Sequence, residues 1–327
     1  MSTAVPVTFR RPALTGRRSF LEITQTYGVI GVLLLLCVIA SLAFPSFASA
    51  SNMSSIVTAA CFLGLITVGQ GLVIISGGID LSVGSMVGLG TVVAALASPY
   101  GWFWALLAPL LVGALVGFLN GLLIGKGKMA PFIVTLCSLL ALKGIALVLA
   151  PTSILVQNES FTSIGNGAFL GVSNLIWILA IVFVIAGLIL NRTTFGSSIF
   201  AVGGNDDAAR MMGTDVTAIK VAVYTISGSL AGLGGALLAS RLSSGVSTLG
   251  TQYELKSIAA AVIGGVLLTG GVGTMLGALC GVLLIGVIQN VITQVGTLNA
   301  YYQDLFTGLF LVLAVVIQGI ISNRRSP

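Results

Sequence analysis

Apolar residues fall into ten blocks along the chain, most of them long enough to cross a bilayer once as a helix, with short polar or glycine-rich breaks between them. The blocks lie at about 27–44, 55–76, 84–98, 103–124, 130–150, 174–191, 220–240, 254–270, 273–294 and 303–321. Pro131 opens the fifth near its first turn, where proline is tolerated. The pattern predicts an all-α polytopic membrane protein of about ten transmembrane helices.

The cations orient it. Arg10, Arg11, Arg17, Arg18, Lys126, Lys128, Arg192, Arg210, Lys220, Arg324 and Arg325 all fall on one face of a ten-span chain. Arg241 and Lys256 fall on the other, and Lys143 lies within the fifth span. Cytoplasmic flanks carry the excess of Lys and Arg, so both termini are expected in the cytoplasm. The expected organisation is a cytoplasmic tail over 1–26, one transmembrane domain over 27–321 with a cytoplasmic loop at about 193–219, and a cytoplasmic tail over 322–327.

Composition agrees with this and narrows the chemistry. The 327 residues are 57% hydrophobic and only 7% charged, against about 25% charged in soluble domains. The 14 Lys and Arg against 8 Asp and Glu are explained by the cytoplasmic flanks rather than by nucleic acid. Histidine is absent, which removes His-based catalysis, His metal sites and a His proton relay. Cys37, Cys61, Cys137 and Cys280 sit inside apolar spans with no metal-site spacing and read as packing residues. The nearest approach to a phosphate-binding loop, Gly121 to Lys128, has the wrong gap and Gly127 after its lysine position. An ATPase, if one drives this chain, is another polypeptide.

One stretch breaks the apolar pattern. Ile74 to Gly90 carries Gly77, Gly78, Asp80, Ser82, Gly84 and Ser85. Glycine pairs are poor helix interior, so the helix is expected to break near Gly77-Gly78. Two readings of Asp80 stand side by side: a cytoplasmic turn in which it caps the next helix, or a gate element of a transport pathway buried in protein or lining water. Lys143 is an intramembrane charge, a functional hypothesis by default, with pairing to Asp80, snorkelling and a place on the route all open. Gln70 and Asn120 are candidates for the same pathway, or for hydrogen bonds between helices.

Ala201 to Lys220 carries the second signal. Gly203-Gly204-Asn205 reads as a turn and cap, Asp206 and Asp207 as the favourable acidic start of a short helix, and Gly213 as its C-terminal stop. Such a helix is marginal alone and is stabilised by a partner surface. A coupling helix docked on an ATPase and an ordinary ordered loop are the alternatives. On the opposite face, Arg241, Tyr253 and Glu254 are candidates for contact with an outer partner or for pairing with each other.

Glycines four apart are expected to let helices approach closely: Gly84 and Gly88, Gly113 and Gly117, Gly117 and Gly121, Gly228 and Gly232, Gly273 and Gly277. A faint echo links Gly77–Gly84 with Gly264–Gly271, as in transporters built from repeats.

GGIDLSVGS at Gly77 to Ser85 resembles the signature of the ribose-type monosaccharide permeases, the membrane subunits of ATP-driven sugar importers. The resemblance extends over Pro131 to Leu136, Ala201 to Gly213, Ala239 to Leu242, Tyr253 to Leu255 and Ile258 to Gly271. It implies an importer subunit of the bacterial inner membrane that moves a monosaccharide or polyol by alternating access. Its implied partners are a second permease copy or a paralogue, a cytoplasmic ATP-binding subunit and a periplasmic sugar-binding protein. This chain itself is expected to bind no cofactor, ATP and Mg being used by the partner. The resemblance carries Gly77, Gly78 and Asp80 to the signature, and Gly203, Gly204, Asn205 and Gly213 to the ATPase-facing loop. Lys256, Val266-Leu267 and Thr214 depart from the usual pattern and leave the sugar open. The rival function is an ion-coupled secondary transporter, disfavoured by the scarcity of deep ionisable groups.

Overall fold

The computed structural model describes residues 16–296 and 300–323. The expected positions Arg10, Arg11, Arg324 and Arg325, and with them much of both tails, lie outside the described residues. In chain order the helices and short strands are α1 Gly16–Ala43, α2 Ala50–Ile75, α3 Ser82–Ala97, α4 Trp102–Gly125, α5 Pro131–Leu149, β1 Ile154–Leu155, α6 Glu159–Asn166, β2 Ala168–Phe169, β3 Val172–Ser173, α7 Asn174–Arg192, α8 Thr194–Gly204, α9 Asp206–Met211, α10 Val216–Leu242, β4 Ser244–Gly245, α11 Tyr253–Ile263, α12 Met275–Val295 and α13 Ala300–Asn323. Among the described residues seven helices are long and apolar enough to cross a membrane: α2, α3 with the turn after it, α4, α5, α7, α10 and α12.

Local chemistry sets most of the ends. Ser49, Asn158, Thr193, Asn205, Asp215 and Thr274 each accept a backbone N–H in the first turn of the helix they open, as capping residues do. Gly77 and Gly265 sit at φ +81° and +88°. At both places the next residue donates back five positions, Gly78 to Val73 and Val266 to Ala261. That is the left-handed glycine stop of a helix, used twice.

α2 is the buried axis, with almost every residue from Ala60 to Ile75 out of solvent. α10 lies against it and against α4. The α4–α10 seam is made of small residues facing backbone. A Cβ on Gly113 would overlap the Gly228 carbonyl, one on Gly117 the Tyr224 carbonyl, and one on Gly232 the Pro109 carbonyl. Gly121 and Gly125 continue the row against Val221 and Thr217. The pairs at Gly113, Gly117 and Gly121 and at Gly228 and Gly232 thus pack helix on helix, as their spacing implied.

Gly84 and Gly88 do something else. The chain leaves α10 at Ser243 and descends along α3 without helical structure. Val246 exchanges hydrogen bonds with the Thr91 hydroxyl at 2.9 and 3.0 Å. A Cβ on Gly88 would meet the Ser247 and Leu249 carbonyls, and one on Gly84 the Gly250 carbonyl and the Glu254 carboxylate. The small-residue face of α3 therefore receives an irregular segment, 246–252, rather than a helix. This also corrects the eighth span. α11 has 11 residues, and the expected block 254–270 is interrupted at Gly264-Gly265. The polar run 246–252 lies along α3 and leads directly into α11.

The loops hold more structure than their polarity suggested. β1 pairs antiparallel with β4, and β2 with β3. α6 packs on the end of α10, where the Ser240 hydroxyl accepts from Gly165 N at 2.8 Å and donates to the Phe161 carbonyl. α8 was not expected. Gly203 and Gly204 are its last residues rather than a turn, and only Asn205 caps α9, accepting from Ala208 N at 2.9 Å.

Candidate functional site

The break between α2 and α3 is buried in protein. Asp80 is 0% exposed, so it is not a turn open to solvent. Its Oδ1 accepts from Ser82 N at 3.0 Å and from Ser82 Oγ, and its Oδ2 from Ser227 Oγ at 2.8 Å. The capping role survives in altered form: the carboxylate takes the first N–H of α3 and also ties α3 to α10. Ser82 Oγ accepts from Asn120 Nδ2 at 3.2 Å, and Asn120 Oδ1 accepts from Ser138 Oγ. A single polar chain thus runs Ser227, Asp80, Ser82, Asn120, Ser138 across α10, α3, α4 and α5. The loose backbone beside it is also satisfied. The Ile79 carbonyl accepts from Tyr224 Oη at 3.2 Å and Thr135 Oγ1 at 3.3 Å.

Lys143 does not join Asp80. It is exposed on α5, and the ion pairs among the described residues are Lys220–Asp206 and Lys256–Asp304. Gln70 is fully buried in α2, and its amide has no hydrogen-bond partner among the described residues. Asn120, by contrast, makes the interhelix bonds just described.

Two glycine turns and the glycine end of α8 meet under this network. The Gly271 N–H donates to the Ile75 carbonyl at 2.8 Å. A Cβ on Gly203 would overlap that same carbonyl oxygen, and one on Gly270 would stand 2.9 Å from Gly77 Cα. The end of α8 is therefore wedged between the two helix breaks, backbone to backbone. Of the echo between Gly77–Gly84 and Gly264–Gly271, the geometry shares one feature, the left-handed glycine stop, and it matches Gly77 with Gly265 rather than with Gly264.

Beyond the wedge, α9 carries Asp206 and Asp207 in its first turn and Arg210 in its last, and Gly213 follows at φ +84°. Lys220 pairs with Asp206. A cleft of about 310 Å³ opens there, lined by Lys128, Asp206, Asp207, Arg210 and Lys220 among others. Met211 and Met212 project from this end at 89% and 73% exposure. At the opposite end Arg241 donates to Asn166 Oδ1 at 3.0 Å and to the Gly165 carbonyl. A cleft of about 380 Å³ beside it is lined by Ser55, Thr58, Asn166, Ser173 and Arg241 among others. Glu254 lies at Gly84, not at Arg241, so the expected pairing between them is not formed.

Ser227, Tyr224, Ser138 and Thr135 were missed in the sequence because each is a small or aromatic hydroxyl inside an apolar span, where a bond to its own helix is the ordinary use. α8 had one usable signal, Thr193 ahead of an apolar run.

A bundle of long apolar helices with a buried polar break, and a helical unit wedged against that break from one end, is the build of a membrane transport protein. The chain belongs to the family described as branched-chain amino acid transport system / permease component, whose pattern it matches over residues 52–315. Among its relatives, the ribose import permease protein of Haemophilus influenzae is 38% identical over 90% of this chain and 93% of its own length. That of Bacillus subtilis is 39% identical over 92% and 95%. An L-arabinose ABC transporter permease protein of Azospirillum brasilense is 35% identical over 93% and 90%. No solved structure matches the chain. The resemblance read from the motifs is thus a family membership, and the chain is a multi-pass transport subunit of ABC import type.

Proposed function

We propose that this chain is the inner-membrane permease of an ATP-driven importer of a monosaccharide or polyol, and that α8 and α9 receive the ATPase. The observation that carries the coupling is the wedge: the unit that presents Met211, Met212 and the charged cleft at one end of the bundle touches both helix breaks through Gly203. A push on α9 is delivered to the backbone of α2 and of the α11–α12 turn without an intervening side chain. Methionines on the exposed end suit an adaptable protein interface. The described cations Lys126, Lys128, Arg192, Arg210 and Lys220 gather at this end, which supports a cytoplasmic placement. Counting α1, the 246–263 traverse and α13 with the seven long helices gives ten crossings and both termini in the cytoplasm. A second copy or paralogue completes the pathway, Asp80 and its glycines form its gate, and the Arg241 cleft meets the periplasmic binding protein. The kinship with ribose and arabinose permeases supports a sugar over an ion-coupled solute.

The test is uptake of labelled D-ribose, L-arabinose and a panel of hexoses and polyols into vesicles holding this chain, with and without ATPase and binding protein. Uptake that needs every component plus ATP, and survives an uncoupler, is the expected result. Uptake by the chain alone that an uncoupler abolishes would replace this reading with a secondary transporter.

A further inference from the structure

The irregular segment along α3 raises a question the wedge does not answer: why is backbone without helical structure laid against a helix at this depth? From Thr91 to Gly84 it follows α3 for about 10 Å at 1.5 Å per residue. Non-helical backbone inside a membrane persists only where it is buried in protein or lines water. This one is buried on one side only: Gly250 is out of solvent and Val246, Ser247 and Leu249 are half-buried, while Thr248, Thr251 and Gln252 are exposed and Glu254 is half-buried. Its carboxylate occupies the space that a side chain on Gly84 would fill. The cations whose fields reach it are Lys143 and Lys256. Lys256 is already engaged by Asp304 at 2.9 Å. Lys143 has no ion pair among the described residues. It stands on the exposed face of α5, twelve residues from the helix start, about 18 Å along the axis.

We propose that this seam lines the solute route and that Glu254 and Lys143 contact the passing solute. Their chemistry suits a neutral polyhydroxylated molecule. The carboxylate accepts from neighbouring hydroxyls, the ammonium donates to hydroxyl or ring oxygens, and the two opposite charges leave no net charge to favour an ion of either sign. The hydroxyls of Thr248 and Thr251 extend the same surface outward. Glu254 is then a residue of the pathway rather than of the outer partner interface. The proposal rests on the importer reading above, and the experiment separates the two.

The assembled importer is reconstituted first, with labelled D-ribose and L-arabinose as probes. Absence of ATP-driven uptake by the unaltered complex would count against the importer reading alone. Water access is then measured directly. In a chain with its four cysteines replaced, Thr248→Cys and Thr251→Cys are exposed to a charged, membrane-impermeant thiol reagent. Both are expected to label, and Val184→Cys, exposed on α7, is expected not to. Failure of both threonine positions to label would overturn the seam whether or not the complex transports. Glu254→Gln and Lys143→Met are expected to lower the sugar moved per ATP hydrolysed at least fivefold, with ATP hydrolysis itself within twofold and Glu254→Asp restoring most of the loss. If Glu254→Gln fails to assemble, Lys143→Met carries the measurement. Unchanged sugar-to-ATP ratios in the assembled variants would remove these residues from the route.

Discussion

The hydrogen bond from Ser227 Oγ to Asp80 Oδ2 crosses between α10 and the α2–α3 break, and its strength can be worked out and measured. Bonds between helices in a membrane average about 0.6 kcal/mol by double-mutant cycle and reach about 1.7 kcal/mol at most. An ionised acceptor roughly doubles a neutral bond. The Asp80–Ser227 coupling is therefore expected at about 1–2 kcal/mol if the carboxylate is charged, near the average if it is not. Asp80→Ala alone should be worse than that coupling. It strands Ser82 N–H, a buried donor left without an acceptor, at about 1–3 kcal/mol. The two serine hydroxyls can partly turn to carbonyls of their own helices, which limits the total to about 2–6 kcal/mol. The assay is reversible unfolding of the purified permease in mixed detergent and SDS, for Asp80→Ala, Ser227→Ala and the pair. Additivity within about 0.3 kcal/mol, the behaviour of independent sites, would refute the bond. Asp80→Asn keeps the volume and one acceptor. It should fold nearly as well as the unaltered chain while slowing uptake, which separates scaffold from gate.

Gly203→Ala places a methyl on the Ile75 carbonyl, whereas Gly204→Ala meets nothing within 4 Å. The first should lower stability by about 1–3 kcal/mol and uncouple ATP hydrolysis from uptake, and the second should leave both within error in the same vesicle assay. Gly213 has open space around it but φ +84°; Gly213→Leu should cost about 1–2 kcal/mol and weaken co-purification of the ATPase, with Gly213→Asn milder. Gly117→Val drives a branched side chain into the Tyr224 carbonyl and should abolish accumulation of folded permease, read by size-exclusion of the detergent extract. Arg241→Ala removes donors to Gly165 and Asn166 and should reduce binding-protein affinity in a pull-down more than it changes thermal stability.

The spans were legible because lipid imposes one rule on every residue of a helix: apolar blocks of the right length mark α2, α4, α5, α7, α10 and α12 within a few residues of their observed ends. Caps were legible where the chemistry is local, as at Asn205 and Gly213. What escaped were relations between distant positions. Gly84 and Gly88 announce that something comes close, but their spacing does not say whether it is a helix or the polar run 246–252. Gly203 looks like a turn glycine until Ile75 is seen against it. Asp80 could be placed at a helix break, yet its partner Ser227 is one hydroxyl in an apolar block, indistinguishable in sequence from a serine bonded to its own helix. The expected eighth block was misjudged for the same reason: the run 246–252 reads as a loop in sequence, and only the fold lays it along α3.

The polar chain through Asp80 also sets a schedule for synthesis. Asp80 and Ser227 are 147 residues apart. At about 5–20 residues per second of elongation, the carboxylate leaves the ribosome roughly 7–30 seconds before the helix that completes its shell. In that interval Ser82 is the donor nearest to it in the chain, and α2 and α3 stand as a hairpin with a carboxyl group at its tip. The insertion machinery, or water held at the membrane face, must keep that hairpin until α4 and then α10 arrive. A ribosome-bound chain stopped after α5 should accordingly cross-link at its 76–81 turn to the insertion machinery, and release that contact once α10 has been made.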